Sequence, residues 1–491
     1  MKLKVHLTGL LCASALLACA PVAPLGQQDA DGLLRRADQA MGGQNLKTLS
    51  YSGSGSGATF GQAYKPGMAW PKLNYSSFTR VLDYDNAALR EEFARSRAEP
   101  TGGGAVPLMG MGEQRAVTML RGTDSWNMVG PAPLFAGVAL DARIHDLWTT
   151  PHGVIKAALK NKATLTTRSE GGKALTAASF TEPGRFTATA LINSDNLVER
   201  VESRLSNPVL GDTEVVTSYS DYRDFGGVKF PMRIRQSAGG FPVLDLQVKD
   251  VQPNAAAAAI EVPELVRGFT EKVTAEKAAE GVWFLAGGSH NSVAIEMKDY
   301  LLLVEAPLYD GRSSAVLAEL KKLAPGKPVR YVVNSHHHFD HAGGLRTAVA
   351  DGATLITSAQ AKPWFDKVFA NPNRINPDLL AKSGKKATIQ GVNGKQLLTD
   401  GTRSVEIYDI AGSVHVEGFM MVYLPADKLL IQADAYTPGL PGASPPAQPN
   451  GNHLHLVQNM DQLKLAVDRI LPLHGRMVPV SELYSAVGRK P

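Results

Sequence analysis

Cysteine is nearly missing from this chain of 491 residues: Cys12 and Cys19 are the only two, and both fall in the first nineteen positions. Past that point no internal disulfide can form, and no thiolate is available as a metal ligand. Long apolar runs are equally scarce. The stretch from Val5 to Ala18 falls short of the roughly twenty residues a spanning helix needs, and no later segment approaches that length. An excess of one charge is also lacking, since 51 Lys and Arg face 46 Asp and Glu. Setting aside Lys2 and Lys4 leaves 49 against 46, or +3, and no basic block occurs, so nucleic acid is not an expected partner. There is no internal repeat of solenoid period, which removes stacked-repeat architectures from consideration.

A hydrophobic content of 44% supports packed cores, and the length suits two domains behind a targeting segment. The expected boundaries are a leader over 1–19, a β-rich domain over 27–252, a linker over 253–272 and a second domain over 273–491. Gln27 to Ala40 reads as a helix stopped by Met41-Gly42-Gly43. After it, Val228, Phe230, Met232 and Ile234 alternate with polar residues, as do Leu244, Leu246 and Val248. This is the pattern of half-buried strands with one wet face. Phe225-Gly226-Gly227 and Ala238-Gly239-Gly240 supply the turns of antiparallel hairpins. Glu99 to Gly104 and the Met-Gly repeats after it read as a loop, and Pro253-Asn254 with the alanine run to Ala259 as the start of the linker.

From Val273 the order changes to alternating strands and helices: strands at Val282–Leu285, Ser292–Met297 and Tyr300–Val304, a helix near Arg312–Leu323, then Val329–Val333. That last strand leads into His336-His337-His338-Phe339-Asp340-His341, four imidazoles and a carboxylate in six residues. An extended chain projects alternate side chains to one side, so His336 and His338 can reach one metal together while His337 points away. Asp340 and His341 follow where a helix begins, and Gly343-Gly344 are expected to let the chain turn tightly. Imidazole suits Zn, Fe or Mn, and the carboxylate adds a hard anionic ligand.

The string Asn334 to Gly344 resembles the H-x-H-x-D-H signature of the metallo-β-lactamase superfamily. Three further residues follow in the family's order: His415 after the strand-like Val405–Ile410, Asp434 closing Lys428–Asp434, and His474 in Leu471-Pro472-Leu473-His474-Gly475, where Leu473 replaces a glycine of the family's element. The resemblance covers roughly residues 273 to 485 and implies an αββα sandwich of the α+β class. It also implies two divalent cations, Zn2+ in the first place with Fe or Mn compatible. His336, His338 and His415 would hold the first metal, Asp340, His341 and His474 the second, and Asp434 would bridge. The expected reaction is attack of a metal-bound hydroxide on an ester, lactone, thioester or β-lactam amide of a small-molecule substrate, with Asp340 also orienting the nucleophile. Asp434 resembles the bridging aspartate of the glyoxalase, lactonase and phosphodiesterase branches, which excludes the branch with cysteine there; a β-lactamase of the all-histidine type stays open. The alternative is a non-catalytic binding or sorting lipoprotein whose metal site is structural or vestigial.

Other residues carry weaker readings. Glu305, at a strand end, is either a support for the ligands or a turn residue. Tyr436 is expected to be a core or wall tyrosine, His453 and His455 to be surface or capping residues or else substrate contacts, and Leu456, Met460, Leu463 and Val467 to form one apolar helical stripe. The loop Thr437 to Pro446 is expected to cover the substrate. The first domain resembles the curved antiparallel sheets of lipoprotein-carrier-like domains. Lys2 and Lys4 before Val5–Ala18 read as a secretory signal, and Leu16-Leu17-Ala18-Cys19 resembles a bacterial lipobox. That resemblance implies lipid attachment at Cys19 and a periplasm-facing place in the cell envelope, at the outer membrane, reached by the anchor alone.

Overall fold

The computed structural model describes residues 27–98, 112–255, 259–444 and 448–489; the expected leader with Cys19 and the expected loop after Glu99 lie outside these residues. The first domain is built on one antiparallel sheet of thirteen strands. Six strands, from Thr48–Ala58 to Ala132–Phe135, run consecutively to one edge, and seven, from Phe241–Pro253 back to Thr164–Glu170, run to the other. The first and last strands in the chain therefore pair at the middle, with Leu49 opposite Pro253. Both glycine pairs make two-residue hairpin turns: Phe225 pairs with Val228 and Ala238 with Phe241. Gly226 and Gly227 have φ of 67° and 93°, which side-chain-bearing residues rarely adopt.

Helices Gln27–Ala40, Leu140–Trp148 and Pro151–Lys160 close one face of this sheet. Ala30, Leu34, Ile144, Leu147, Val154 and Ile155 join strand residues such as Tyr51, Phe230 and Leu246 in a common core. The last two helices depart from the all-strand expectation. Thr150 accepts a hydrogen bond from Gly153 N and Pro151 takes the first helical position, so a proper helix start is written there. The segment expected to be a linker is partly packed: Ile260 and Val266, the latter in the helix Glu264–Arg267, bury against Ala88 and Trp126 of the sheet.

The second domain has two facing sheets with helices outside each, the expected four-layer sandwich. One sheet has seven strands from Thr274–Ala279 to Ile389–Val392, antiparallel at first and parallel from Leu301–Val304 onward. The other has six, from Lys395–Thr399 to Val478–Pro479. Val293, Ile295, Leu302 and Val333 of one meet Ile407, Phe419, Met421 and Ile431 of the other in the central core. Helices Asp310–Leu323 and Leu345–Asp351 cover the outer face of the first sheet through Val316, Leu320, Leu345 and Ala348. The helix Gly451–Gln462 covers the second through Leu456 and Met460. The stripe expected to continue to Leu463 and Val467 does not. The helix ends at Gln462, and Lys464 turns the chain at φ 55°. Among the described residues no helix is long and apolar enough to cross a membrane.

Candidate metal centre

The strand Val329–Val333 stops before the histidines. His336 and His338 therefore lie on a buried loop, not on the strand itself, and Phe339–Ala342 form one helical turn after it. Gly343 and Gly344 have φ of −65° and −108° or near it, so they are not there for a left-handed turn. They are there for close approach: a Cβ on Gly343 would fall 1.9 Å from Leu308 O and one on Gly344 1.8 Å from Ser313 Oγ. Gly343→Ala is accordingly expected to cost ~1–3 kcal/mol through forced backbone movement, read as a lowered Tm in thermal melts.

The other loops are fixed as firmly. Beyond the strand Leu429–Gln432, the Gln432 amide accepts from Tyr436 N at 2.9 Å and donates to Tyr436 O at 2.7 Å, a clamp that holds Asp434 at the tip. His455 Nε2 donates to Ala411 O at 2.7 Å and steadies the loop before His415. Asn291 N donates to Leu473 O at 2.8 Å, and Asn291 Nδ2 donates to Gly475 O at 2.8 Å, gripping His474 from both sides.

All seven expected residues converge. His336 Nε2 lies 3.0 Å from His338 Nδ1 and 3.3 Å from His415 Nε2, and His415 Nε2 lies 3.0 Å from Asp434 Oδ2. On the other side His341 Nε2 and His474 Nε2 are 3.1 Å apart and stand 3.2 and 2.9 Å from Asp434 Oδ1. Asp340 Oδ2 is 3.7 Å from His341 Nε2. Corners of a tetrahedron with a zinc-like centre about 2.0 Å away are about 3.3 Å apart, which is the scale of these spacings.

The protons decide what the spacing means. Glu305 is fully buried; its Oε2 accepts from Ser335 Oγ at 2.5 Å and from His341 Nδ1 at 3.0 Å. With its own proton given to Glu305, Ser335 Oγ accepts from His336 Nδ1 at 3.0 Å. His338 Nε2 donates to Ala63 O at 3.0 Å and His474 Nδ1 to Ser289 O at 3.0 Å. In neutral His336 and His338 the outward nitrogen thus carries the proton and a lone pair faces inward, while His341 and His474 commit an outward nitrogen to Glu305 and Ser289. The lone pairs of His336 Nε2 and His338 Nδ1, 3.0 Å apart with no proton between them, repel, and both oxygens of buried Asp434 lack any donor with hydrogen-bond geometry despite their short approaches. This donor set fits two divalent cations. Charge tells the same story. Burial pushes His336 and His338 well below the usual histidine range. Burial also opposes charge on Asp434, yet His341, His474 and His415 outweigh it and hold the carboxyl well below its ordinary value.

His290 was not among the expected residues. It enters the centre from the turn between Val282–Ala286 and Ser292–Glu296, its Nε2 3.2 Å from Asp340 Oδ2 and its ring centroid 4.2 Å from that of His474. Together His290, Asp340, His341 and His474 form one four-residue group able to hold a cation, and His336, His338, His415 and Asp434 another. Burial pushes His290 down to about 4, which keeps it neutral. Glu305 is the ligand support, not merely a turn residue, although it does sit at φ 71°. Tyr436 is buried as a wall residue, and His453 packs edge-on against it with centroids 4.9 Å apart. Neither His453 nor His455 is on the surface.

The family model of the Metallo-beta-lactamase superfamily matches residues 285–479. Residues 285–479 are a metallo-beta-lactamase superfamily domain. Similar solved structures include a metallo-beta-lactamase from Pontibacter korlensis, 17% identical with a TM-score of 0.34, covering 44% of this chain and 98% of that one. The metallo-beta-lactamase FIM-1 from Pseudomonas aeruginosa, in its mono-zinc form, is 18% identical with a TM-score of 0.33, covering 44% and 93%. Rubredoxin oxygen:oxidoreductase from Desulfovibrio gigas is 16% identical with a TM-score of 0.35, covering 44% and 60%. No curated protein matches the chain. The metallo-beta-lactamase domain contains all seven expected residues and His290, and the thirteen-stranded sheet lies wholly before it.

Proposed function

We propose that the chain is a dinuclear metal-dependent hydrolase of a small-molecule ester, lactone, thioester or β-lactam amide. The observation that carries this reading is the convergence of buried histidine nitrogens on the Asp434 carboxylate, neither of whose oxygens has a hydrogen-bond partner. His336, His338 and His415 would hold one cation, Asp340, His341 and His474 the other, and Asp434 both, Zn2+ being the first choice and Fe or Mn compatible with the donors. When bound, two such ions supply Lewis acidity toward a carbonyl oxygen and a water acidic enough to ionise near neutral pH. Asp340 would also orient the nucleophile, and His290, with Nε2 3.2 Å from Asp340 Oδ2 and held neutral by burial, keeps that carboxylate in place. Burial keeps bulk water away from the cluster, which strengthens every charge interaction within it. Leu440, 83% exposed on the loop after Asp434, offers an apolar contact for the substrate. The Lys2–Cys19 segment supports a place at the cell envelope through lipid on Cys19.

The test is metal analysis of the purified chain, followed by turnover of chromogenic esters, lactones, thioesters and cephalosporins, with His336→Ala as the control. About two divalent ions per chain, hydrolysis of at least one class and loss of both in His336→Ala are expected. A metal-free chain, or one inert toward every class, would instead favour the binding or sorting lipoprotein.

A further inference from the structure

The metal centre is closed from outside its own domain. The connection 59–71, between strands Thr48–Ala58 and Lys72–Asp83 of the first sheet, reaches across to the loops that carry the histidines. Phe339 N donates to Gly61 O at 3.2 Å, Glu417 N to Tyr64 O at 2.8 Å, and the Tyr64 hydroxyl to Ser413 O at 2.9 Å. Phe60 and Trp70 pack edge-on against Phe339, with centroids 5.3 and 5.6 Å away. Gly61 has φ 83°, and a Cβ there would fall 2.5 Å from Phe339 Cγ, so the two domains meet at backbone distance.

We infer that Gln62 and the Ala63 carbonyl, contributed by the first domain, position the metal ligands Asp340 and His338, so that the centre is complete only when the domains are docked. The inference rests on reading the cluster as a metal centre. Ala63 O accepts from His337 Nε2 at 2.9 Å and from His338 Nε2 at 3.0 Å, which uses both of its lone pairs. Neither buried ring can turn without stranding an N–H. Holding the His338 proton on Nε2 leaves Nδ1 as the atom that faces His336 Nε2. Gln62, itself 8% exposed, donates from Nε2 to Asp340 Oδ1 at 2.8 Å and thereby assigns the other oxygen, Oδ2, to the side of His341 and His290. His337 also acquires a purpose: the one histidine of the run that does not face the centre is the latch between domains.

The experiment uses the full chain loaded with cobalt(II), whose visible absorption reports coordination, together with chelator competition for affinity. Gln62→Leu removes the donor while keeping the bulk; Gly61→Ala shifts the loop; Met68→Ala, at an exposed position of the same loop, is the control. Gln62→Leu and Gly61→Ala should each bind cobalt about 10-fold more weakly with altered bands, the scale on which ligand-supporting partners act. Met68→Ala should match the wild type. If Gly61→Ala does not fold, Gln62→Leu decides alone, since it places no demand on the backbone. Wild-type affinity and spectrum in Gln62→Leu would overturn the cross-domain role while leaving the metal centre standing. Failure of the wild-type chain to take up cobalt would overturn both.

Discussion

Asp434→Ala is expected to abolish hydrolysis and to leave the chain unable to retain its cations. Removing a partner that merely supports a ligand costs roughly 10- to 100-fold in affinity or activity, and Asp434 is placed to contact both ions directly, so the loss should exceed that range. No neighbour can substitute. The two oxygens stand within 2.9–3.2 Å of His341, His415 and His474, and the site around them is fully packed. Binding also has a thermodynamic signature separate from turnover. At a hundredfold excess of metal over its dissociation constant, a ligand that binds only the folded chain adds about 3 kcal/mol of stability. The wild-type Tm should therefore rise with added Zn2+ and fall with chelator, whereas the Tm of Asp434→Ala should respond to neither. A metal-dependent Tm in the variant would count against the bridging role.

The second large effect is acid sensitivity of the metal-free protein. Burial pushes His152 and His290 down to about 4 and His337 to about 3, and it also holds His336 and His338 well below the usual histidine value. Such groups stay neutral when folded and gain a proton on unfolding below about 6.5, so the unfolded chain binds more protons and stability falls as pH falls from about 6.5 toward the folded values. A lowering from 6.5 to about 4 corresponds to about 3 kcal/mol per histidine once pH reaches 4. His341 and His474 act in the opposite sense. Burial lowers both, but the carboxylates, Asp434 first, outweigh it and hold both above 6.5, so their stabilisation is complete below that pH and is lost only as pH rises through the folded values. Asp340 and Asp434, held low, contribute stability that disappears only below about 3.8. The depressed histidines outnumber the raised ones, so the melting temperature should drop steeply between pH 6.5 and 4. His152 provides the cleanest check, because it lies in the first domain, donating to Met41 O at 3.0 Å and stacked on Phe230. A His152→Gln variant should show a visibly shallower pH dependence, and an unchanged slope would contradict the assignment.

The hairpins were legible because two glycines with positive φ between alternating apolar residues leave the chain little choice. The order of strands and helices fits the sandwich that the resemblance to the superfamily implies, and the convergence of His415, Asp434 and His474 with the histidine run was legible only through that resemblance, which their order along the chain matches. What escaped was either long-range or masked by local signals. Gln62 is 278 residues from Asp340 in sequence, and a glutamine in a loop carries no mark of such a contact. His290 is a lone histidine between two strands, indistinguishable by pattern from any polar turn residue. The helix Pro151–Lys160 announces itself by the Thr150-Pro151 start, whereas Leu140–Trp148 begins at Ala139 with no side-chain cap to mark it. Gly343 and Gly344 were read as turn formers because sequence shows that a side chain is missing but not which atom fills its space.

The pairing of Thr48–Ala58 with Phe241–Pro253 has a kinetic consequence. Each arm of the great sheet can zip from its own hairpins as the polypeptide emerges, since neighbouring strands are adjacent in the chain. The seam between the arms joins residues some two hundred positions apart and must wait for Pro253. High contact order of this kind slows folding, because the entropy of closing the loop is lost before the contacts that reward it exist. The strand that roots the Gln62 connection lies on that seam, so docking at the histidines should be among the last events of maturation.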